Sequence, residues 1–345
     1  MASKPTTKIL TTPAEGTKIG PIYEYNDEQK AKMKELKEYA ESIMLPESDS
    51  YHPWERRWLD KPDTIPRYMR AAKWNLADGK KRIKGTLEWR RQFKPELIPP
   101  DEIKIEDESG KILIDGFDKD GRPIIYMRPG RQNTETSPRQ LRHLVWCLER
   151  AKDLMPPGQE SLVIIVDYKS TTLRTNPSIS VASKVLTILQ QHYVETLGRA
   201  IVVRLPMLLN FFYKGISPFL DPVTRDKMRF NPDLLELVPA SQLEAEFGGE
   251  HNFVFNHEDY WKQIIETCGI APDGTRVDEK LGPSTASNAE IEQPSHEKSA
   301  TATEYASRES EDSVTPAHER AATTGQLSDA ISGLSLQPQP QTASA

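Results

Sequence analysis

Thr224 and Lys227 follow Asp221-Pro222, a capping side chain and the residue best suited to the first helical position. A spacing of three puts the hydroxyl and the ammonium on one helix face, where they can meet an anionic oxygen. Just upstream, Met207, Leu208, Leu209, Phe211, Phe212 and Ile216 make a segment apolar on nearly every side, with Asn210, Tyr213 and Lys214 its polar positions. A helix with no polar face must be buried or must meet something apolar outside the protein. An ordinary core helix satisfies the first condition. The second, beside a cationic helix start, suits a ligand with an apolar body and an anionic head, such as a phospholipid. A second cationic row, Arg67, Arg70 and Lys73, reads either as a solvated helix face or as a contact for an anionic membrane or headgroup.

Motifs for bond chemistry are missing. The chain has no G-x-S-x-G, H-E-x-x-H, C-x-x-C, P-loop or G-x-G-x-x-G pattern, and its seven histidines are scattered. No enzyme activity, cofactor or metal is expected. The formal charge of -6 is uneven: Arg276 to Ala345 holds 11 acidic and 5 basic residues, which leaves the part before it neutral. That balance argues against a nucleic-acid partner. Cys147 and Cys268 lie far apart on apolar faces and read as free thiols of a reducing compartment. The first residues carry no apolar signal, and Arg204 and Asn210 interrupt the longest apolar run. Membrane contact is therefore expected to be peripheral.

The elements that must hold these residues fall into four parts. Residues 1–25, rich in Thr, Pro and Gly, read as an irregular arm. Residues 26–100 read as a small helical module. Asn26 caps a helix to about Met44, Trp54 and Trp58 anchor a short one, a third from Ile65 carries the cationic row, and a fourth runs from Asn75 to Phe93. Residues 101–270 read as a mixed α/β sheet region. A hairpin turns at Asp118 to Gly121, and a capping box at Ser137 and Gln140 opens a helix. Strand Leu162–Val166, a helix to Tyr193 and strand Ile201–Val203 form a crossover unit, so part of the sheet is parallel. A further strand near Met228 to Phe230 and a last helix, Asp259 to Cys268, follow. Residues 271–345, rich in Ser, Thr and acidic side chains, bury too little surface to offset ordering entropy and read as disordered.

The run HYVETLGRAIVVRLPMLLNFFYKGISPFLDPVTRDKM resembles the lipid-binding core of the CRAL-TRIO family, in the branch of fungal phosphatidylinositol transfer proteins. PRYMRAAKWN, EWRRQF, DKDGRPIIY, VDYKS and EFGG extend the likeness in the family's order, from about Tyr51 to Tyr260. GRQNTETS and LERAKDLMPPGQESL look like members associated with azole tolerance. The resemblance implies a helical module followed by a mixed sheet, floored by helices, around an apolar cavity with a mobile gate helix. The gate would be Met207 to Ile216 and on past Phe219, and the membrane its contact. Leu162, Ile164, Val166, Ile201 and Val203 would line the cavity. Glu195, in Y-x-E-x-x-G, and Thr224 and Lys227, in D-P-x-T-x-x-K, would hold the phosphatidylinositol headgroup. The bland alternative is that Glu195 and Lys227 pair with each other.

Two departures from the family pattern bear on cargo. Thr196 and Ala72 stand where arginines are common, which makes the headgroup site less cationic. Leu162 and Ile164 stand where hydroxyls serve a choline headgroup, so phosphatidylcholine is disfavoured and a sterol is a suitable second cargo. The expected role is exchange of phosphatidylinositol between membranes in the cytoplasm, with peripheral attachment, for example at endoplasmic reticulum or lipid droplets. A scaffold that presents bound lipid to a lipid kinase is the rival. A lipid-modifying enzyme and a retinoid or tocopherol carrier fit less well.

Overall fold

In a computed structural model of the chain, residues 4–206 and 214–277 are described. The proposed gate residues Met207, Leu208, Leu209, Phe211 and Phe212 lie outside them, as does the tail from residue 278. The described residues belong to one compact unit, and a second unit, Thr285–Ala345, lies wholly outside them.

The helical module is α1 (Asp27–Ser42), α2 (His52–Leu59), α3 (Thr64–Ala71) and α4 (Leu76–Phe93). Asn26 and Gln29 close a reciprocal capping box on α1, and Asn75 caps α4 through the Asp78 amide. Leu36, Ala40, Trp58, Leu59, Tyr68, Met69, Ile83 and Leu87 form its core. Gly79 lets α4 close on α1 and α3, since an added Cβ would lie 3.1 Å from Met69 Sδ. The third helix is shorter than its sequence pattern suggests. It stops at Ala71, and Lys73 and Trp74 take positive φ, so Lys73 lies beyond the helix and off the row.

Helix α5 (Pro100–Asp107) was not expected. The prolines read as a terminator instead start it, because Pro at the first position costs no hydrogen bond. Strands β1 (Ile112–Phe117) and β2 (Pro123–Met127) form the hairpin. Asp118 builds its turn, accepting from the Asp120 and Arg122 amides at 2.9 Å. Helix α6 (Pro138–Asp153) follows, then β3 (Leu162–Asp167), α7 (Ile179–Gln191) and β4 (Leu197–Val203). At the start of α6 the expected capping box is absent. Ser137 Oγ is buried without a partner, and Gln140 Nε2 donates to Thr134 Oγ1 and the Glu135 carbonyl. A short helix α8 (Pro222–Asp226), strand β5 (Met228–Phe230), α9 (Leu234–Leu237) and α10 (His257–Cys268) complete the described part.

The five strands lie in the order β1-β2-β3-β4-β5, the first pair antiparallel and the rest parallel. Ile124, Ile125, Val163, Ile165 and Ile201 at its centre are fully buried. The arm is ordered against this unit. Thr6 bridges Phe253, Ile9 is buried, and the Leu10 amide donates to Asp115 at 2.7 Å.

Module and sheet meet through a buried polar joint. Arg90 of α4 pairs with Glu96 and with Glu149 of α6, Tyr51 donates to Glu96 at 2.5 Å, and Tyr193 donates to Glu149 at 2.7 Å. Burial opposes the charge on Glu149, but Lys152 and Arg90 outweigh it and hold the carboxyl well below its usual range. Removing one partner of such a set strands a buried charge.

Candidate functional site

Glu195 sits in the tight turn between α7 and β4 at φ +58, a left-handed conformation that costs a non-glycine residue on the order of 1 kcal/mol. Both neighbours are pinned. Val194 is buried in the core of the helical module, and its carbonyl accepts from Arg67 Nη1 at 2.9 Å. Thr196 is buried, its hydroxyl accepts from the same nitrogen at 3.2 Å, and its carbonyl takes the Leu162 amide at 2.8 Å. The Y-x-E-x-x-G spacing thus has a local cause. Tyr193 is anchored on Glu149, and a Cβ on Gly198 would lie 2.7 Å from Arg122 Cδ and Nε.

Lys227 reaches the same place by another route, three residues after Thr224. Asp221 caps α8, accepting the Thr224 amide at 2.9 Å and the Thr224 hydroxyl at 2.6 Å. The Lys227 amide donates to the Thr224 carbonyl at 3.2 Å, and its own carbonyl takes the Ala200 amide of β4 at 3.0 Å. Because β4 and β5 run parallel, the residues that precede them come side by side. Lys227 Nζ lies 3.6 Å from Glu195 Oε2, and each side chain is 23% exposed. That separation exceeds the 2.7–2.9 Å of a strong charged hydrogen bond, so both groups keep donors and acceptors in reserve. The helix start contributes less than the sequence suggests. Helix α8 has five residues, and the Asp221 carboxylate already occupies its amide end.

The cationic row is not a surface. Arg67 is 2% exposed and pairs with Asp63 at 2.7 Å. Arg70 is mostly buried, pairs with Glu160, donates to the Tyr25 phenol and stacks on the Tyr23 ring at 3.7 Å. Lys73 alone is exposed. The bare sequence could not tell this arrangement from a solvated face, since the partners are up to 129 residues away. Thr196, read as a lost cation, is instead the acceptor that ties Arg67 to the site.

The expected cavity wall needs a similar correction. Ile164 and Val166 register with Ala200 and Val202, whereas Ile201 and Val203 register with Ile165 and Asp167. Side chains alternate along a strand, so Leu162, Ile164 and Val166 lie on one face and Ile201 and Val203 on the other. On the first face, Val166, Ala200 and Met228 are only partly buried, and Val166, Val202, Leu205 and Met228 form a small apolar cluster. Helix α7 is similar: of Val181, Val185, Ile188 and Leu189, only Ile188 is buried. Ile216 is 6% exposed and Phe219 46%, with the Phe219 carbonyl taking Gln190 of α7 at 3.1 Å.

An N-terminal helical module that fixes a polar pair beside a five-strand mixed sheet defines a two-part α/β fold. Residues 32–85 match the CRAL/TRIO, N-terminal domain and residues 107–249 the CRAL/TRIO domain. The chain belongs to the CRAL-TRIO family. It is 48% identical over 235 residues to a CRAL-TRIO domain-containing protein of Schizosaccharomyces pombe, covering 67% of this chain and 23% of that protein. It is 36% identical over 225 residues to the phosphatidylinositol transfer protein PDR17 of Saccharomyces cerevisiae, covering 62% and 64%. The chain thus spans less than two thirds of the length of either relative. Among solved structures, that of Sfh5 aligns with a TM-score of 0.49 at 19% identity, covering 71% of this chain and 98% of that one.

Proposed function

We propose that this chain binds phosphatidylinositol and carries it between membranes without making or breaking covalent bonds. The loose Glu195–Lys227 pair carries the reading. An ammonium and a carboxylate, both with unused hydrogen-bonding capacity, meet beside a hydroxyl at the end of an apolar sheet face. Lys227 suits the phosphodiester, and Glu195 accepts from inositol hydroxyls. Thr224 Oγ1 can accept where it stands, and donates to a ligand once it releases Asp221. Similarity to a phosphatidylinositol transfer protein supports the same ligand.

Transfer by such a protein is a matter of partition. Two acyl chains of roughly 30 methylenes at about 0.8 kcal/mol each would cost on the order of 24 kcal/mol to expose to water. An apolar chamber cancels most of that cost. Leu162 and Ile164 offer no polar group to solvate a phosphocholine headgroup, which favours phosphatidylinositol and leaves a sterol as second cargo. No described helix is long and apolar enough to cross a membrane, and the proposed mode of action is peripheral contact at cytoplasmic membrane faces. Mass spectrometry of lipids extracted from the purified chain tests the reading. Phosphatidylinositol should dominate, and phosphatidylcholine in its place would overturn the headgroup argument.

A further inference from the structure

A pocket of about 320 Å³ opens between the arm and the loop that leads into β3, with Ile22, Tyr23 and Tyr25 on one side and Pro157, Gly158 and Glu160 on the other. That volume sits at the small end of ligand sites and suits a ring. Helix α3 fixes its place relative to Glu195. Arg67 and Arg70 are one turn apart, about 4.5 Å along the axis. Arg67 holds Val194 and Thr196 on either side of Glu195, while Arg70 holds Glu160, Tyr25 and Tyr23. Opposite, the Leu162 amide that bonds Thr196 lies two residues past Glu160. The pocket and the Glu195 turn therefore hang on successive turns of one helix.

The arm is held in place here. The Gly20 amide donates to the Asp120 carbonyl at 3.2 Å, and Gln159 Nε2 donates to the Gly20 carbonyl at 3.0 Å. Ile22 stays 83% exposed although the chain around it is fixed. The chemistry is that of polyol recognition. Tyr rings offer faces to the C–H side of a saturated ring, Glu160 offers an acceptor to its hydroxyls, and Glu195 lies near enough to act electrostatically on Tyr23. Burial raises the Tyr23 and Tyr25 phenols, which keeps them protonated as donors. Arg70 and Glu160 neutralise each other, so the pocket holds no spare cation for an added ring phosphate.

We propose that this pocket receives the polyol ring of the headgroup, with the arm as its outer clamp. The inference rests on the phosphatidylinositol reading above. The lipid-stripped full chain is incubated with phosphatidylcholine vesicles containing chain-labelled phosphatidylinositol or, separately, chain-labelled phosphatidic acid, which has the phosphate but no ring. Tyr23→Ala should lower phosphatidylinositol uptake about tenfold, as loss of one stacking and hydrogen-bonding group does, with phosphatidic acid uptake and the thermal midpoint unchanged. Unchanged phosphatidylinositol uptake, or an equal fall for both lipids, overturns the proposal. Should the variant fold poorly, hydrogen exchange on the unmutated chain decides. Loading with phosphatidylinositol should protect residues 19–25 at least tenfold more than loading with phosphatidic acid, and equal protection counts against the clamp. A wild-type chain that takes up no phosphatidylinositol sinks the functional reading itself.

Discussion

Lys227→Ala separates a ligand-binding pair from a structural one. At 3.6 Å and with each side chain 23% exposed, the Glu195–Lys227 pair should contribute no more than about 1 kcal/mol to folding. For a unit of this size that is a midpoint shift of only about 2–4 °C. In the proposed bound state the same ammonium would face a phosphodiester, where a charge-assisted hydrogen bond contributes about 1.5–3 kcal/mol. Uptake of phosphatidylinositol should therefore fall about 10- to 150-fold while the fold survives. Glu195→Gln keeps the shape and removes the charge, and should lower uptake less, because an amide oxygen still accepts. The assays are thermal unfolding and transfer of labelled lipid between vesicles, run on both single variants and the double variant. If Lys227→Ala cost more than about 3 kcal/mol of stability, or left transfer untouched, the pair would be a fold element and the headgroup assignment would fail.

Three further outcomes follow from the geometry. Arg67→Met should cost about 3 kcal/mol in urea unfolding, because Asp63, the Val194 carbonyl and Thr196 lose their shared partner, and lipid uptake should drop with it as the Glu195 turn loosens. Burial, with Arg90 adding, lowers His192 to about 4 from 6.5. Between those values the unfolded chain binds a proton that the folded chain rejects, so stability should rise with pH from about 4 to 6.5 and level off above, by on the order of 2 kcal/mol after allowance for partial exposure. His192→Phe, which keeps a ring against Trp89 4.4 Å away, should flatten that limb in melts taken across the range. Gly116→Ala should lose at least about 2 kcal/mol, since φ is +72 and the new Cβ would lie 2.2 Å from the Gln242 carbonyl oxygen; a midpoint within 2 °C of wild type, read on the same per-kcal scale, would contradict that crowding.

Local signals in the sequence translated well into structure. The Asn26 and Asn75 caps, the Asp118 turn and the crossover between β3 and β4 all stand where spacing puts them. The helix start at Asp221-Pro222, which carries Thr224, was legible because that pair fixes it by itself. What could not be read was the partner of each polar group. Arg67 and Arg70 look like any solvated row until Val194, Thr196 and Glu160 arrive from remote parts of the chain. Which face of β4 belongs with which face of β3 depends on a register that no single strand encodes. Pro100 misled in a different way, since proline both ends and begins helices. The arm gave a weak signal, Tyr23 and Tyr25 in a Pro- and Gly-rich run, and only the stacking of Tyr23 on Arg70 and the hydrogen bond from Arg70 to Tyr25 give it meaning.

Val194 belongs to the hydrophobic heart of the four N-terminal helices, yet it is the residue next to Glu195. Those helices are therefore no detachable cap. Trimming them away, or replacing them with a sturdier bundle, would leave the Glu195 turn hanging from the sheet by one end. An engineer reshaping that turn would have to redesign both halves together.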